Sequence, residues 1–158
     1  MDCLFNMDSK DRKIIECLQE HGRWSVQKIA RQIRTPITTV YHRMKRLEKE
    51  GVIQGYAVQV DYKKMGMPLA AYVLITVDYK ALKEAGMTQY DLTKKILKEK
   101  EVESATMVTG GTDIILKMRA AHVDELNTFI TVKLRNIEGI EKTQTMLVLN
   151  EAEKNAVG

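Results

Sequence analysis

Between Gly22 and Gly55 the chain reads GRWSVQKIARQIRTPITTVYHRMKRLEKEGVIQG, and this stretch limits the possible folds more tightly than any other. Ser25 is a natural N-cap, since its hydroxyl can accept from a backbone N–H that the first helical turn leaves unpaired. Ile29 and Ile33 follow at i, i+4 on one face. Thr35-Pro36 opens a second helix, with Thr35 as cap and Pro36 at the first helical position, where its missing N–H costs nothing. Gly51 ends that helix in a left-handed position. Val40, Met44 and Leu47 share one apolar stripe. At about 100° per residue, Thr38, His42, Lys45 and Lys49 point the other way, flanked by Thr39, Tyr41 and Arg46. Val52-Ile53 and Tyr56–Val60 are predicted to close the unit as a small hairpin.

A short capped helix, a tight corner and a second helix with a cationic outer face form a unit suited to a DNA major groove. Its N-terminal side chains can reach base edges while Lys and Arg neutralise phosphates. Charge placement agrees. The chain carries a formal +4, with eleven Lys/Arg against eight Asp/Glu in residues 1–61 and fourteen against thirteen in 62–158. From Arg23 to Lys49 eight basic residues are opposed only by Glu48, so the positive field gathers on the groove-shaped element. Upstream, Asp8 and Ser9 cap a helix with Ile14, Ile15 and Leu18 as its buried stripe. A trihelical unit of about 50–60 residues is marginal alone, which predicts attachment to something larger.

The rest of the chain excludes several classes. No apolar run reaches the roughly 18 residues of a membrane span, and MDCLFNM is not a signal peptide, so a cytoplasmic location is expected. Cys3 and Cys17 are too few for a disulfide framework and read as reduced thiols. Cys17, His21 and His42 lack metal-ligand spacing, and no metal or cofactor is expected. There is no GxSxG, P-loop or dinucleotide fingerprint, and His21, His42 and His122 fall in separate predicted elements. With one tryptophan, Trp24, the chain has no aromatic platform for single strands.

From Leu69 the pattern changes. Ala70–Val77 reads as a strand, Thr88 caps a helix carrying Leu92, Ile96 and Leu97, and Ser104–Val108 and Ile114–Met118 are strands joined through Gly110-Gly111. Val123, Leu126, Phe129, Ile130, Val132 and Leu134 supply a second helix closed by Gly139, and Thr143–Leu149 is the last strand. The order βαββαβ is ferredoxin-like, making the whole chain α+β: a winged helix-turn-helix over 1–61, a linker over 62–67 and a ferredoxin-like domain over 68–158. One face of that sheet is left bare in a monomer, which predicts a homodimer packed sheet to sheet and presenting paired helices to a near-palindromic site.

Asp8–Ile15 (DSKDRKII), Leu18-Gln19, Gly22-Arg23, Ile29-Ala30, Thr35, Thr39-Val40, Arg43, Arg46-Leu47-Glu48, Gly51-Val52-Ile53 and Gly55-Tyr56 resemble the DNA-binding domain of the Lrp/AsnC (feast/famine) transcription regulators. The second half resembles the effector-binding domain of the same family. The resemblance implies a sequence-specific regulator of transcription that responds to an amino acid or related small molecule, built as a homodimer assembling to a tetramer or octamer. Contacts to double-stranded DNA are then expected from Thr38, Thr39, His42, Lys45 and Arg46, with Lys49 and Arg43 beside them. Thr38, Thr39 and His42 are candidates for base readout and Lys45 and Arg46 for phosphates. Arg43 lies nearer the packing stripe and either braces the helix or touches DNA.

The family's ligand motif falls on Thr109, Gly110, Gly111, Thr112 and Asp113, at a subunit interface. Gly110 and Asp113 match it, and Thr112 replaces the frequent tyrosine. A glycine loop can offer backbone N–H groups to a carboxylate while Asp113 meets an ammonium; the alternative is that Gly-Gly merely turns and Asp113 caps a strand start. Two other classes share the architecture. One is an enzyme of the sirohaem decarboxylase type, which would bind a tetrapyrrole. The other is a small-molecule sensor without DNA regulation, whose DNA affinity would not fall steeply with salt.

Overall fold

The computed structural model describes residues 6–151, and the expectations for Cys3 and for the ends of the chain lie outside them. The described residues form two compact units, one over 6–59 and one over Val60–Glu151.

The first unit is three helices: α1 (Ser9–Glu20), α2 (Val26–Gln32) and α3 (Ile37–Lys49). Asp8 caps α1 by accepting from the N–H groups of Lys10 and Asp11, and Asp11 reaches back to the Asp8 N–H, a reciprocal capping box. Ser25 caps α2 as its sequence requires, accepting from Lys28 N at 3.3 Å. The start of α3 differs from expectation. Pro36 itself takes the cap position, and Thr35 is buried, its hydroxyl donating to Ile33 O and its N–H to Ala30 O. The physical reason is the corner before it. Arg34 sits at φ 51°, so the N–H groups of Arg34 and Thr35 fold back onto the carbonyls of Arg31 and Ala30. Thr35 is thereby spent on ending α2 rather than starting α3. Ile14, Ile29, Val40 and Leu47 are fully buried between the helices, with Cys17 and Ala30 around them.

The expected hairpin after α3 has no cross-strand ladder. Gly51 takes φ +70°, Ile53 N–H donates to Leu47 O, and Val52 and Ile53 pack on the trihelical core. With those two residues turned into the helix end, 54–60 forms no strand and runs exposed, its Tyr56 hydroxyl donating to Glu48 of α3.

The second unit is a four-stranded antiparallel sheet of β1 (Leu69–Val77), β2 (Val102–Met107), β3 (Ile114–Ala120) and β4 (Ile140–Leu147), in spatial order β2-β3-β1-β4. Alternate residues of the central strands, Val73, Ile75, Leu116 and Met118 among them, bury against α5 (Gln89–Ile96) and α6 (Val123–Thr128). Thr88 caps α5 with a full capping box. A helix α4 (Tyr79–Glu84) precedes it, not anticipated from the sequence, where only Leu82 is core. The second expected helix is also not uniform. After α6 the chain widens into one π turn over Phe129–Lys133, which keeps Phe129 and Ile130 in the core, and tightens to a 3₁₀ turn at Leu134–Asn136.

The outer sheet face is mixed rather than plainly apolar. Tyr72, Leu74 and Ile115 lie half-buried across β1 and β3, with Met146 exposed beside Tyr72. On the same face Lys117 and Arg119 are tied to Glu103 and Glu151, and Tyr62 lies 4.4 Å from the Arg119 guanidinium.

Candidate functional site

The outward face of α3 can work only if its inward face is fixed, and two devices fix it. The first is apolar: Val40 and Leu47 sit fully buried against Ile14 of α1 and Ile29 of α2. The second is ionic and centres on Asp11, whose side chain is fully buried. Arg43 Nη1 donates to Asp8 Oδ2 at 2.7 Å and to Asp11 Oδ1 at 2.9 Å, and Arg46 Nη2 donates to Asp11 Oδ2 at 2.7 Å. A buried carboxylate is tolerable only when its lone pairs are filled by charged donors, and here two arginines fill them. The Asp11 and Arg43 N–H groups, aided by desolvation-opposing charge from Arg43, hold the Asp8 carboxyl down at about 2. Arg43 is pushed up by Asp8 first and Asp11 second.

This geometry sorts the residues singled out from the sequence. Thr38, His42, Lys45 and Lys49 are exposed along α3 and Thr39 is half-buried beside them. Lys45 donates to Glu48 at 3.0 Å, and Glu48 also accepts from the Tyr56 hydroxyl at 3.0 Å. Arg43 and Arg46 share the clamp on α1, although Arg46 keeps nearly half of its side chain in solvent. Asp11 was not singled out. The signal for it is its place three residues after the Asp8 cap, with two arginines three apart on a later helix.

In the second unit, 109–113 joins β2 to β3. Asp113 is engaged by its own fold. Its Oδ2 accepts from Val77 N at 2.8 Å and its Oδ1 from the Tyr79 hydroxyl at 2.7 Å. Its carbonyl accepts from Gln89 Nε2 at 2.9 Å and its N–H donates to Ile75 O at 2.9 Å. The carboxylate raises the Tyr79 phenol above its ordinary range. Asp113 therefore caps the end of β1 and ties α4 and α5 to the loop. Thr109, Gly110 and Gly111 are exposed and Thr112 half-buried, and among the described residues nothing accepts from the N–H groups of Gly110 or Gly111. Tyr79 and Gln89 join this cluster from helices that sequence patterning did not connect to it.

No described residues group as a metal site, and no described helix is long and apolar enough to cross a membrane.

Comparison with known proteins covers both units. Residues 7–54 match the winged helix-turn-helix DNA-binding family, and residues 70–157 match the Lrp/AsnC ligand binding domain. An uncharacterised HTH-type transcriptional regulator of Pyrococcus furiosus is 34% identical over 141 residues, covering 89% of this chain and 91% of its own length. One from Pyrococcus horikoshii is 35% identical over 143 residues, covering 90% and 91%. Two solved structures share the fold: the Neisseria meningitidis regulator NMB0573 in complex with L-Met (TM-score 0.83, 23% identity, 95% and 94% covered) and E. coli AsnC (TM-score 0.79, 24% identity, 93% and 95% covered). The chain belongs to the Lrp/AsnC family of ligand-responsive, DNA-binding transcriptional regulators.

Proposed function

We propose that α3 lies in the major groove of a two-fold DNA site, with Thr38, Thr39 and His42 at base edges, Lys45, Lys49 and Arg46 at phosphates, and Arg43 bracing the helix from behind. The observation that carries this is the division of α3 into a locked face, with Val40 and Leu47 fully buried and Arg43 held by two aspartates, and an exposed cationic one. The effector is a free amino acid or a close relative, received at 109–113 with its carboxylate on the Gly110 and Gly111 N–H groups. Asp113, already bonded to Val77 and Tyr79, shapes the loop and adds charge toward the ammonium. The working form is a cytoplasmic homodimer, associating further into a closed ring, that pairs the Tyr72–Leu74–Ile115 part of the outer sheet face.

The test is a gel-shift with duplex DNA from upstream of the protein's own coding region, titrated with salt and with each amino acid in turn. Affinity is expected to fall steeply with salt, log–log slope about −0.9 for each neutralised phosphate, and to change with one effector class. A flat salt response would remove phosphate neutralisation as the basis of binding. An effector response that survives both Asp113→Asn and Gly110→Ala would remove the loop.

A further inference from the structure

The outer face of α3 is not purely polar. Ile37, its first residue, is 50% exposed, and Tyr41, one turn later, is 48% exposed. Their spacing of four places both on one side of the helix. The Tyr41 ring is steadied edge-on by His42, centroids 5.6 Å apart at 71°. Beside them opens a shallow cleft of about 560 Å³ between the start of α2 (Ser25, Gln27) and α3 (Ile37, Thr38, Tyr41, His42). An isoleucine and a tyrosine left in water on a helix whose other face is so well buried call for an occupant. The surroundings name its charge: Lys28, Arg31, Arg34, Lys45 and Lys49 are all exposed on α2, the corner and α3. An apolar protein partner would have to desolvate that ring of cations, whereas a polyanion is drawn by it.

Resting on the reading that α3 enters the major groove, we propose that Ile37 and Tyr41 read thymine, by packing against its C5-methyl group. That methyl is the one apolar group a base pair presents at the major-groove floor. Residues at the N-terminal end of a recognition helix are those that reach base edges, and Ile37 begins α3. Thr38 and His42 alternate with the apolar pair, so hydrogen-bond readout and methyl readout are interleaved along one helical edge. The half-site then contains one or two thymines whose methyl groups are required, at positions flanking those read by Thr38 and His42.

The experiment selects a preferred duplex from a random pool with the full chain, then replaces each thymine singly by deoxyuridine, which deletes the methyl and nothing else. Affinity is expected to fall about fourfold per methyl removed at one or two thymines of each half-site. Ile37→Ala or Tyr41→Ala should erase that discrimination at its own thymine. If every deoxyuridine substitution leaves affinity unchanged while the chain still prefers the selected duplex to a scrambled one, methyl readout is overturned and groove binding stands. If no duplex is preferred at all, both fall. Ile37→Ala or Tyr41→Ala altering the assembly's mass by light scattering, with thymine and deoxyuridine bound equally, would assign the pair to protein contacts and also overturn it.

Discussion

Asp8 does two jobs that pull its carboxyl in the same direction, capping α1 and pairing with Arg43. Its pKa, lowered from the ordinary 3.8 to about 2, makes the folded state the poorer proton binder. Stability from this group is therefore fully present above about pH 4 and lost as pH falls toward 2. Trp24, the single tryptophan, packs against the N-terminal core and reports on it. Acid titration of its fluorescence should show the first unit loosening in that window, and Asp8→Asn, which keeps a capping oxygen but no charge, should flatten that part of the curve. At the DNA-facing residues the expected effects differ in kind. His42→Ala should relax sequence preference, whereas Lys45→Ala should weaken all duplexes about equally and flatten the salt slope by about one unit. Uniform loss in His42→Ala would contradict base reading.

The corner between α2 and α3 is where one element sets the aim of another. Arg34 occupies a left-handed conformation that glycine adopts without strain. Arg34→Gly is expected to stabilise the first unit by about 0.5–1 kcal/mol, the left-handed strain of an L side chain less the entropy of glycine, measured by urea denaturation through Trp24. Gly139 is the opposite case. It takes φ +95° before β4, and a Cβ there would overlap Leu82 Cδ2. Gly139→Ala should destabilise the second unit by about 2 kcal/mol or more, through a core side chain that must move and a strained backbone, seen as an earlier transition in far-ultraviolet circular dichroism.

At the scale of the molecule, the proposed dimer rests on the outer sheet face. Leu74 stands opposite Ile115 and beside Gln144 in the middle of that face, half-buried in one chain. Leu74→Glu places a charge where a partner sheet would pack, and light scattering is expected to show the mass falling to that of one chain, with the preference for a two-half-site duplex over a single half-site control lost. An unchanged mass would place the interface elsewhere. Lys117 and Arg119 already have Glu103 and Glu151 as partners, so this half of the face contributes a satisfied polar patch rather than sticky surface.

The local rules written in the chain were sufficient for the helices of the first unit, the βαββαβ order and the basic outer edge of α3. Caps at Asp8, Ser25 and Thr88, the apolar spacing of Val40 and Leu47, and the strand alternation of β1 are properties of neighbours in sequence. Tertiary structure alone decided the rest. Asp11 buried under Arg43 and Arg46 and Asp113 bonded to Val77 and Tyr79 depend on donors and acceptors brought together by folding. A buried polar group goes wherever its hydrogen bonds can be completed, and for Asp11 and Asp113 that place lies more than thirty residues away along the chain.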